Sequence, residues 1–260
     1  MSVLVCVKRV PDATSEIVLT EDGQSVDGRF AGFTMSAHEE CAVELAVQAA
    51  SATGGEATVL TLGDADAVEQ LRAALAVGCT AATHVVADAQ QFGPADVARE
   101  IAAVVRDHEA AGRSHDLVLL GNDAADTGDF QVGIRLAHEL GRPVVTGVSK
   151  VTVAEVDGRL VVTASGDGPD GYETYRVPLP AVVSVLEGGV EPRYPTVPGR
   201  MKAKKVSIEE REPGAAPTGQ ARVRWSLPPA APSDVQILGK GPDAAPAVVD
   251  LFEKLGVLAR

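Results

Sequence analysis

Along residues 1–145 the apolar positions switch back and forth between two periods. Short β-branched runs at 3–7, 57–62, 83–87, 116–120 and 143–146 predict strands. Four helical stretches separate them. Ser36 with Glu39 three residues on has capping-box spacing and opens the first. The second starts at 64–66, aligns Val68, Leu71 and Leu75, and stops at Gly78. Gly93-Pro94 opens the third, with Val97, Ile101, Val104 and Val105 on one face. A fourth, over about 129–141, aligns Val132, Leu136 and Leu140. Strands alternating with helices of this length imply βαβ units: an α/β fold with a mostly parallel, Rossmann-like sheet flanked by helices.

From about residue 148 the pattern changes. Strand-like runs at 149–156 and 160–164 flank Asp157-Gly158, and 172–177 and 181–186 follow, so an antiparallel hairpin extension is expected. Residues 211–235 hold Pro213, Pro217, Pro228, Pro229 and Pro232 among small residues, the composition of an extended arm. The chain closes with an amphipathic helix carrying Val248, Leu251, Phe252 and Leu255, whose apolar face favours a partner chain as its cover. The expected organisation is an α/β nucleotide-binding domain at 1–190, a loop and basic segment at 191–210, and an arm with a final helix at 211–260.

Composition narrows the picture. The chain has 260 residues, 45% of them hydrophobic, with one Trp, three Tyr and five Phe. Its core must therefore be built from Ala, Val and Leu, and a chain this long buries roughly 70–75% of its unfolded surface without a disulfide or structural metal. With 23 Lys+Arg against 36 Asp+Glu, the net charge of −13 argues against nucleic acid as the main partner. No apolar run reaches the ~20 residues of a membrane span, so no membrane insertion is expected. The N-terminus runs directly into a strand without signal-peptide features. Cys6, Cys41 and Cys79 are widely spaced in apolar surroundings and read as buried thiols of a cytoplasmic protein.

The most informative segment is 116–133. A buried strand enters a polar loop containing Gly121, Asn122, Asp123, Ala124, Asp126, Thr127, Gly128, Asp129, Phe130 and Gln131, and a helix starts near Val132. Ligands of open parallel sheets sit beyond the carboxyl ends of the strands, and free N–H groups of a helix start favour phosphate. Gly128 and Gly133 permit close backbone approach, and Thr127 and Gln131 offer side-chain hydrogen bonds. An ordinary capped loop is the alternative. A second loop, Met35-Ser36-Ala37-His38-Glu39, precedes another helix and can close over the same ligand, although His38 also suits a plain surface position. His38 with Cys41 lacks further ligands at metal spacing.

Gly166-Asp167-Gly168-Pro169-Asp170-Gly171 matches a GxGxxG string but lies between antiparallel strands, so it reads as a wide hairpin turn. The chain has no P-loop, no GxSxG elbow and no convincing acid pair. That points to binding or carriage in place of catalysis. At 191–205, three prolines stiffen a loop with Tyr194, Val197 and Met201 as apolar contacts and a basic run behind, a pattern suited to docking another protein or to a solvated connector.

Together these stretches resemble the beta subunit of electron transfer flavoproteins. The matching residues are Val7-Lys8-Arg9-Val10-Pro11-Asp12, Glu40-Cys41-Ala42-Val43-Glu44, Leu71-Arg72-Ala73-Ala74-Leu75-Ala76-Val77-Gly78, the segment from Asp116 to Gln131-Val132-Gly133, and Glu191-Pro192-Arg193-Tyr194 through Met201-Lys202-Ala203-Lys204-Lys205. The resemblance implies a heterodimer with an alpha subunit that holds most of an FAD. It implies electron transfer from flavin dehydrogenases to a membrane quinone oxidoreductase or another acceptor. It also implies an adenine nucleotide, AMP in the common type, held by Cys6, Ser36, Ala37, His38, Glu39, Leu62 and residues Gly121–Val132. Val197 falls on the family's recognition loop, and the arm with Trp225 falls on the segment that wraps the alpha subunit.

The chain departs from the family where Ser36-Ala37-His38 replaces Asn-Pro-aromatic. Gln131-Val132-Gly133 stands closer to a branch that includes electron-bifurcating members, some of which hold a second FAD in place of AMP. Neither His38 nor Ala13 supplies the aromatic ring that family members bring toward the flavin. Two other classes compete: a stand-alone adenine-nucleotide-binding stress-type module, which would lack the docking loop and arm, and an adenylating enzyme, which would need a Ser-Gly-Gly-x-Asp-Ser loop.

Overall fold

Ser2–Cys6 is an almost unbroken apolar run, and it forms the central strand β1, with Val3 and Val5 facing one core and Leu4 and Cys6 the other. Burial on both faces is what a continuous hydrophobic strand of a parallel sheet requires. The structure, a computed structural model, describes residues 1–218, 224–229 and 235–257. After β1 come a short pair, β2 (Val10–Pro11) and β3 (Phe33–Thr34), then α1 (Ala37–Ala52), β4 (Glu56–Gly63), α2 (Val68–Val77), β5 (Ala81–Val86), α3 (Pro94–Ala110), β6 (Leu117–Gly121), α4 (Val132–Leu140) and β7 (Val144–Val148). There follow β8 (Lys150–Val156), β9 (Arg159–Gly168), β10 (Gly171–Pro178), β11 (Ala181–Val185), α5 (Val197–Lys205), β12 (Ile208–Arg211) and α6 (Ala245–Leu255).

Seven strands form one sheet in the order β12-β5-β4-β1-β6-β11-β7, every pair parallel. α1 and α2 pack on one face, and α3 and α4 on the other. Alanine does much of this packing: Ala42, Ala46, Ala49 and Ala50 of α1 are all buried, and among the described residues no Phe, Tyr or Trp belongs to the core. The sequence runs from β1 outward to β5, then returns to place β6 on the opposite side of β1. The carboxyl ends of β1 and β6 therefore diverge, which opens a crevice between them.

The expected hairpin extension is present as a separate antiparallel sheet, β10-β9-β8. Asp157 and Gly158, both at positive φ, make its first turn, the conformation that a two-residue hairpin loop with the right twist demands. Three expectations need correction. Residues 166–168 continue β9, so only Pro169 and Asp170 form the turn expected to be wide. The segment grouped with the hairpin at 181–186 instead joins the main sheet as β11, buried at every position between β6 and β7. The fourth helix begins at Val132, three residues later than expected, because Gly128 turns the chain at φ +66° and residues 129–131 stay outside the helix.

The described residues divide into two compact units, Met1–Trp225 and Ser226–Arg260. In the second, α6 has no buried residue, and Val249, Phe252 and Leu255 are exposed. Residues 224–229 of the arm carry no helix or strand, whereas Pro232 lies outside the described residues. Among the described residues no helix is long and apolar enough to cross a membrane.

Candidate functional site

A cavity of about 520 Å³ opens at the carboxyl ends of β1, β4 and β6, within the range of small-molecule sites. Cys6 and Leu62 line it from the sheet, and Glu39 from the start of α1. Gly121, Asn122, Asp123 and Ala124 form a third wall, continued by Thr127, Asp129, Gln131 and Val132. The two loops singled out in the sequence thus meet at one cavity.

The capping box that opens α1 is fully formed. Ser36 Oγ accepts from the Glu39 N–H at 3.2 Å, and Glu39 Oε2 accepts from the Ser36 N–H at 2.9 Å. Glu39 Oε1 also accepts from the Lys8 N–H at 2.6 Å, which ties α1 to the exit of β1. Burial outweighs these bonds and pushes the Glu39 carboxyl up to about 7. The Cys6 thiol beside it is also pushed up, by its own burial first and then by the Glu39 charge.

The β6–α4 loop is pinned at three points. Lys8 Nζ meets Asp126 Oδ1 at 2.6 Å, and His38 Nδ1 meets Asp123 Oδ1 at 2.6 Å. Asn122 Oδ1 accepts from the Gly147 N–H at 2.9 Å, and the Asn122 N–H donates to Val185 O at 2.9 Å. The loop delivers the start of α4 to the cavity. Unlike α1, this helix has no side-chain cap and no acid in its first turn, and the Gln131 amide oxygen accepts instead from Arg135 at 2.8 Å and 3.0 Å. Its N–H groups are left to a ligand, and an anion is what a helix start attracts.

Several expected residues stand off this lining. Ser36 supports Glu39 from behind, Ala37 lines a separate groove beside Cys41, and His38 and Asp126 act through their contacts with Asp123 and Lys8. Gly128 serves the turn, and the Phe130 ring is exposed. Gly133, in contrast, does line the cavity, and it has a tight neighbour in Ser184, since a Cβ on it would lie 2.5 Å from Ser184 Oγ. Lys8, Arg135 and the start of α3 at Gly93, Pro94 and Ala95 also line the cavity and were not singled out. The signal for α3 was present: Gly-Pro at a helix start beyond a strand is the same βα pattern as at β6.

Tyr194, Val197 and Met201 are exposed, Tyr194 at 89%. The loop expected there is partly helix: Thr196 Oγ1 accepts from the Gly199 N–H at 3.1 Å, and Pro198 sits in the first turn of α5. Trp225 is half-buried, its N–H bonded to Gly23 O at 2.8 Å. All three cysteines are unpaired and buried, and among the described residues no cluster of His, Cys, Asp or Glu is arranged to hold a metal.

Comparison with known proteins gives the family. Residues 29–216 match the family described as electron transfer flavoprotein domain. The chain is 34% identical to electron transfer flavoprotein subunit beta of Bacillus subtilis, covering 82% of this chain and 79% of the relative. It is 35% identical to the subunit of that name in Syntrophomonas wolfei, over 91% and 90% of the two chains. Against the Homo sapiens subunit the figures are 38% identity and 82% of each chain. The chain therefore belongs to the electron transfer flavoprotein family, on its beta-subunit side.

Proposed function

We propose that this chain pairs with an alpha subunit to enclose an FAD held mostly by that subunit, and that its own cavity holds an adenine nucleotide. The observation that carries the reading is the uncapped start of α4 facing a cavity at the β1–β6 crevice. There the α4 N–H groups and Arg135 would receive phosphate, and the apolar wall of Cys6 and Leu62 would receive the base. The flavin supplies the redox chemistry, while this chain supplies orientation and partner choice. Electrons would come from flavin dehydrogenases and pass to a membrane quinone oxidoreductase or another acceptor. Tyr194, Val197 and Met201 would meet the dehydrogenase, and Trp225 with the arm would meet the alpha subunit. His38, engaged by Asp123, leaves this side of the flavin without an aromatic ring. Three unpaired, buried thiols suit a cytoplasmic setting.

A second reading places another FAD in the cavity instead of AMP, as in bifurcating relatives. One observation favours it: a groove continues past Ala95, Gln131 and Arg135 to Ile134, His138 and Glu139, which gives a longer ligand somewhere to run. Co-expression with an electron transfer flavoprotein alpha subunit, followed by ligand extraction under denaturing conditions, decides. One FAD and one AMP per heterodimer support the first reading and two FAD the second, whereas absence of flavin overturns both.

A further inference from the structure

Glu39 is a carboxyl group 7% exposed, set in the wall of a cavity whose other features attract an anion. Three donors reach its oxygens, the Lys8 and Ser36 N–H groups and the Ser36 hydroxyl, and burial outweighs them. From the exit of β1 come Cys6, a neutral thiol, and Lys8, whose ammonium is held by Asp126 at 2.6 Å. From α1 itself come His38, engaged by Asp123, and the exposed Glu40. The β6–α4 loop adds the acids Asp123, Asp126 and Asp129, and Arg135 on α4 is held by Gln131. Behind the carboxyl, Gly121 leaves room for the Glu39 stem, since a Cβ there would lie 3.0 Å from Glu39 Cγ.

The hydrogen-bond geometry accommodates both protonation states. Ser36 Oγ lies 3.0 Å from Glu39 Oε2 and accepts from the Glu39 N–H. With the carboxylate charged, the hydroxyl donates to Oε2. With the carboxyl neutral, its own O–H donates to Oγ across the same distance. The backbone bonds from Lys8 and Ser36 end on the carboxyl oxygens in either state, so the cap of α1 survives the exchange.

We propose that Glu39 is a proton-linked element of the cavity, taking a proton from solvent when a phosphate-bearing nucleotide enters and returning it on release. The inference rests on the nucleotide reading of the cavity. A dianionic phosphate at the start of α4 and the buried Glu39 carboxylate would share one low-dielectric cavity, where their charges repel, and protonating Glu39 removes the conflict without rearranging the chain. Burial already brings the group to about 7, so the exchange falls near neutrality. Nucleotide affinity then declines as pH rises through and above that value.

The test is calorimetric titration of AMP into the full-length chain freed of nucleotide, in paired buffers of different ionisation enthalpy, for wild type and Glu39→Gln. The expected result is a larger proton uptake per AMP in wild type, with an affinity loss from about pH 6 to about pH 8.5 roughly tenfold greater than in the variant. The phosphate's own titration is common to both proteins and cancels. Equal proton counts and equal pH slopes overturn the proton linkage and leave the nucleotide reading standing. Absence of AMP binding at every pH overturns both. If Glu39→Gln does not fold, the AMP-induced infrared difference spectrum of wild type at about pH 8 is read instead. A new protonated-carboxyl band supports the linkage, and its absence overturns it.

Discussion

Glu44 of α1 grips Arg193 across 149 residues of chain, its two carboxylate oxygens taking Nε at 2.6 Å and Nη2 at 2.7 Å. The Arg193 N–H adds a third bond at 3.3 Å, and these contacts hold the Glu44 carboxyl below the usual carboxylate range. Glu44 is buried whereas the Arg193 side chain is half-exposed, so the pair should contribute less than a fully enclosed one. Glu44→Ala should cost about 2 kcal/mol in urea unfolding, and a double-mutant cycle with Arg193→Ala should show coupling of about 1 kcal/mol. Additive single-mutant effects would mean that the bidentate geometry contributes nothing.

Arg72 is expected to hold α5 in place. Its guanidinium donates to the carbonyls of Ala203, which also accepts from the Val206 N–H, and of Val206, the latter at 2.6 Å, at the carboxyl end of α5. Gly199 brings α5 hard against α2, since a Cβ there would fall 2.4 Å from Ala76 O. Arg72→Met keeps the aliphatic stem and removes both bonds, so a loss of about 1–3 kcal/mol is expected. Amide exchange over 197–205 should accelerate while that of β1 and β6 stays unchanged. Uniform acceleration would show that Arg72 supports the whole domain and not α5 in particular.

The pH profile of stability should carry two opposed contributions. His108 and His115 form a buried pair, Nδ1 to Nε2 at 2.8 Å, and His108 Nε2 faces Glu209 at 3.3 Å. With Glu209 accepting, His108 carries its proton on Nε2 and accepts from His115 Nε2–H. His115 Nδ1 is left buried without a hydrogen-bond partner. Burial first, then the neighbouring His108, Arg142 and Arg113, push His115 down to about 4 from an ordinary 6.5. A depressed folded value means stability present above 6.5 and lost as pH falls toward 4. Glu39, raised from 4.5 to about 7, has the opposite sign: its contribution is present below 4.5 and lost as pH rises through 7. Each is worth on the order of 3 kcal/mol over its window. Tm plotted against pH should tilt one way in His115→Gln and the other in Glu39→Gln, and parallel profiles would rule out the assignment.

The parts of this molecule that local chemistry determines were readable in one dimension. Ser36 and Glu39 announce their own helix, and Asp157-Gly158 its own turn, because each interaction closes within a few residues. What escaped depends on distant partners. β12 offers only Ile208 as an apolar position ahead of Glu209, Glu210 and Arg211, and it becomes a strand because the edge of β5 is open beside it. Residues 181–185 follow a hairpin in sequence but are drawn between β6 and β7 by burial. α5 was hidden by its prolines, although Thr196 followed by Pro198 is a helix-start signal. At the site, the loop residues were legible from their strand–loop–helix context. Lys8 and Arg135 were not, since their place depends on how Asp126 and Gln131 are presented.

Gly133 and Ser184 test how closely the cavity depends on the seating of α4. Gly133 is the second residue of the helix, and Ser184 lies buried on β11 beneath it. A methyl group at 133 would meet Ser184 Oγ at 2.5 Å but Ser184 Cβ only at 3.9 Å, an ordinary contact. The conflict is thus with one oxygen atom. Gly133→Ala should lift the start of α4 from the sheet, costing about 1–3 kcal/mol and weakening AMP binding, because Val132 and Gln131 move with it. Adding Ser184→Ala removes the oxygen and should restore both stability and binding in thermal melts and AMP titrations. Restored stability with binding still lost would show that the added methyl group obstructs the ligand directly, from the place Gly133 holds in the cavity lining.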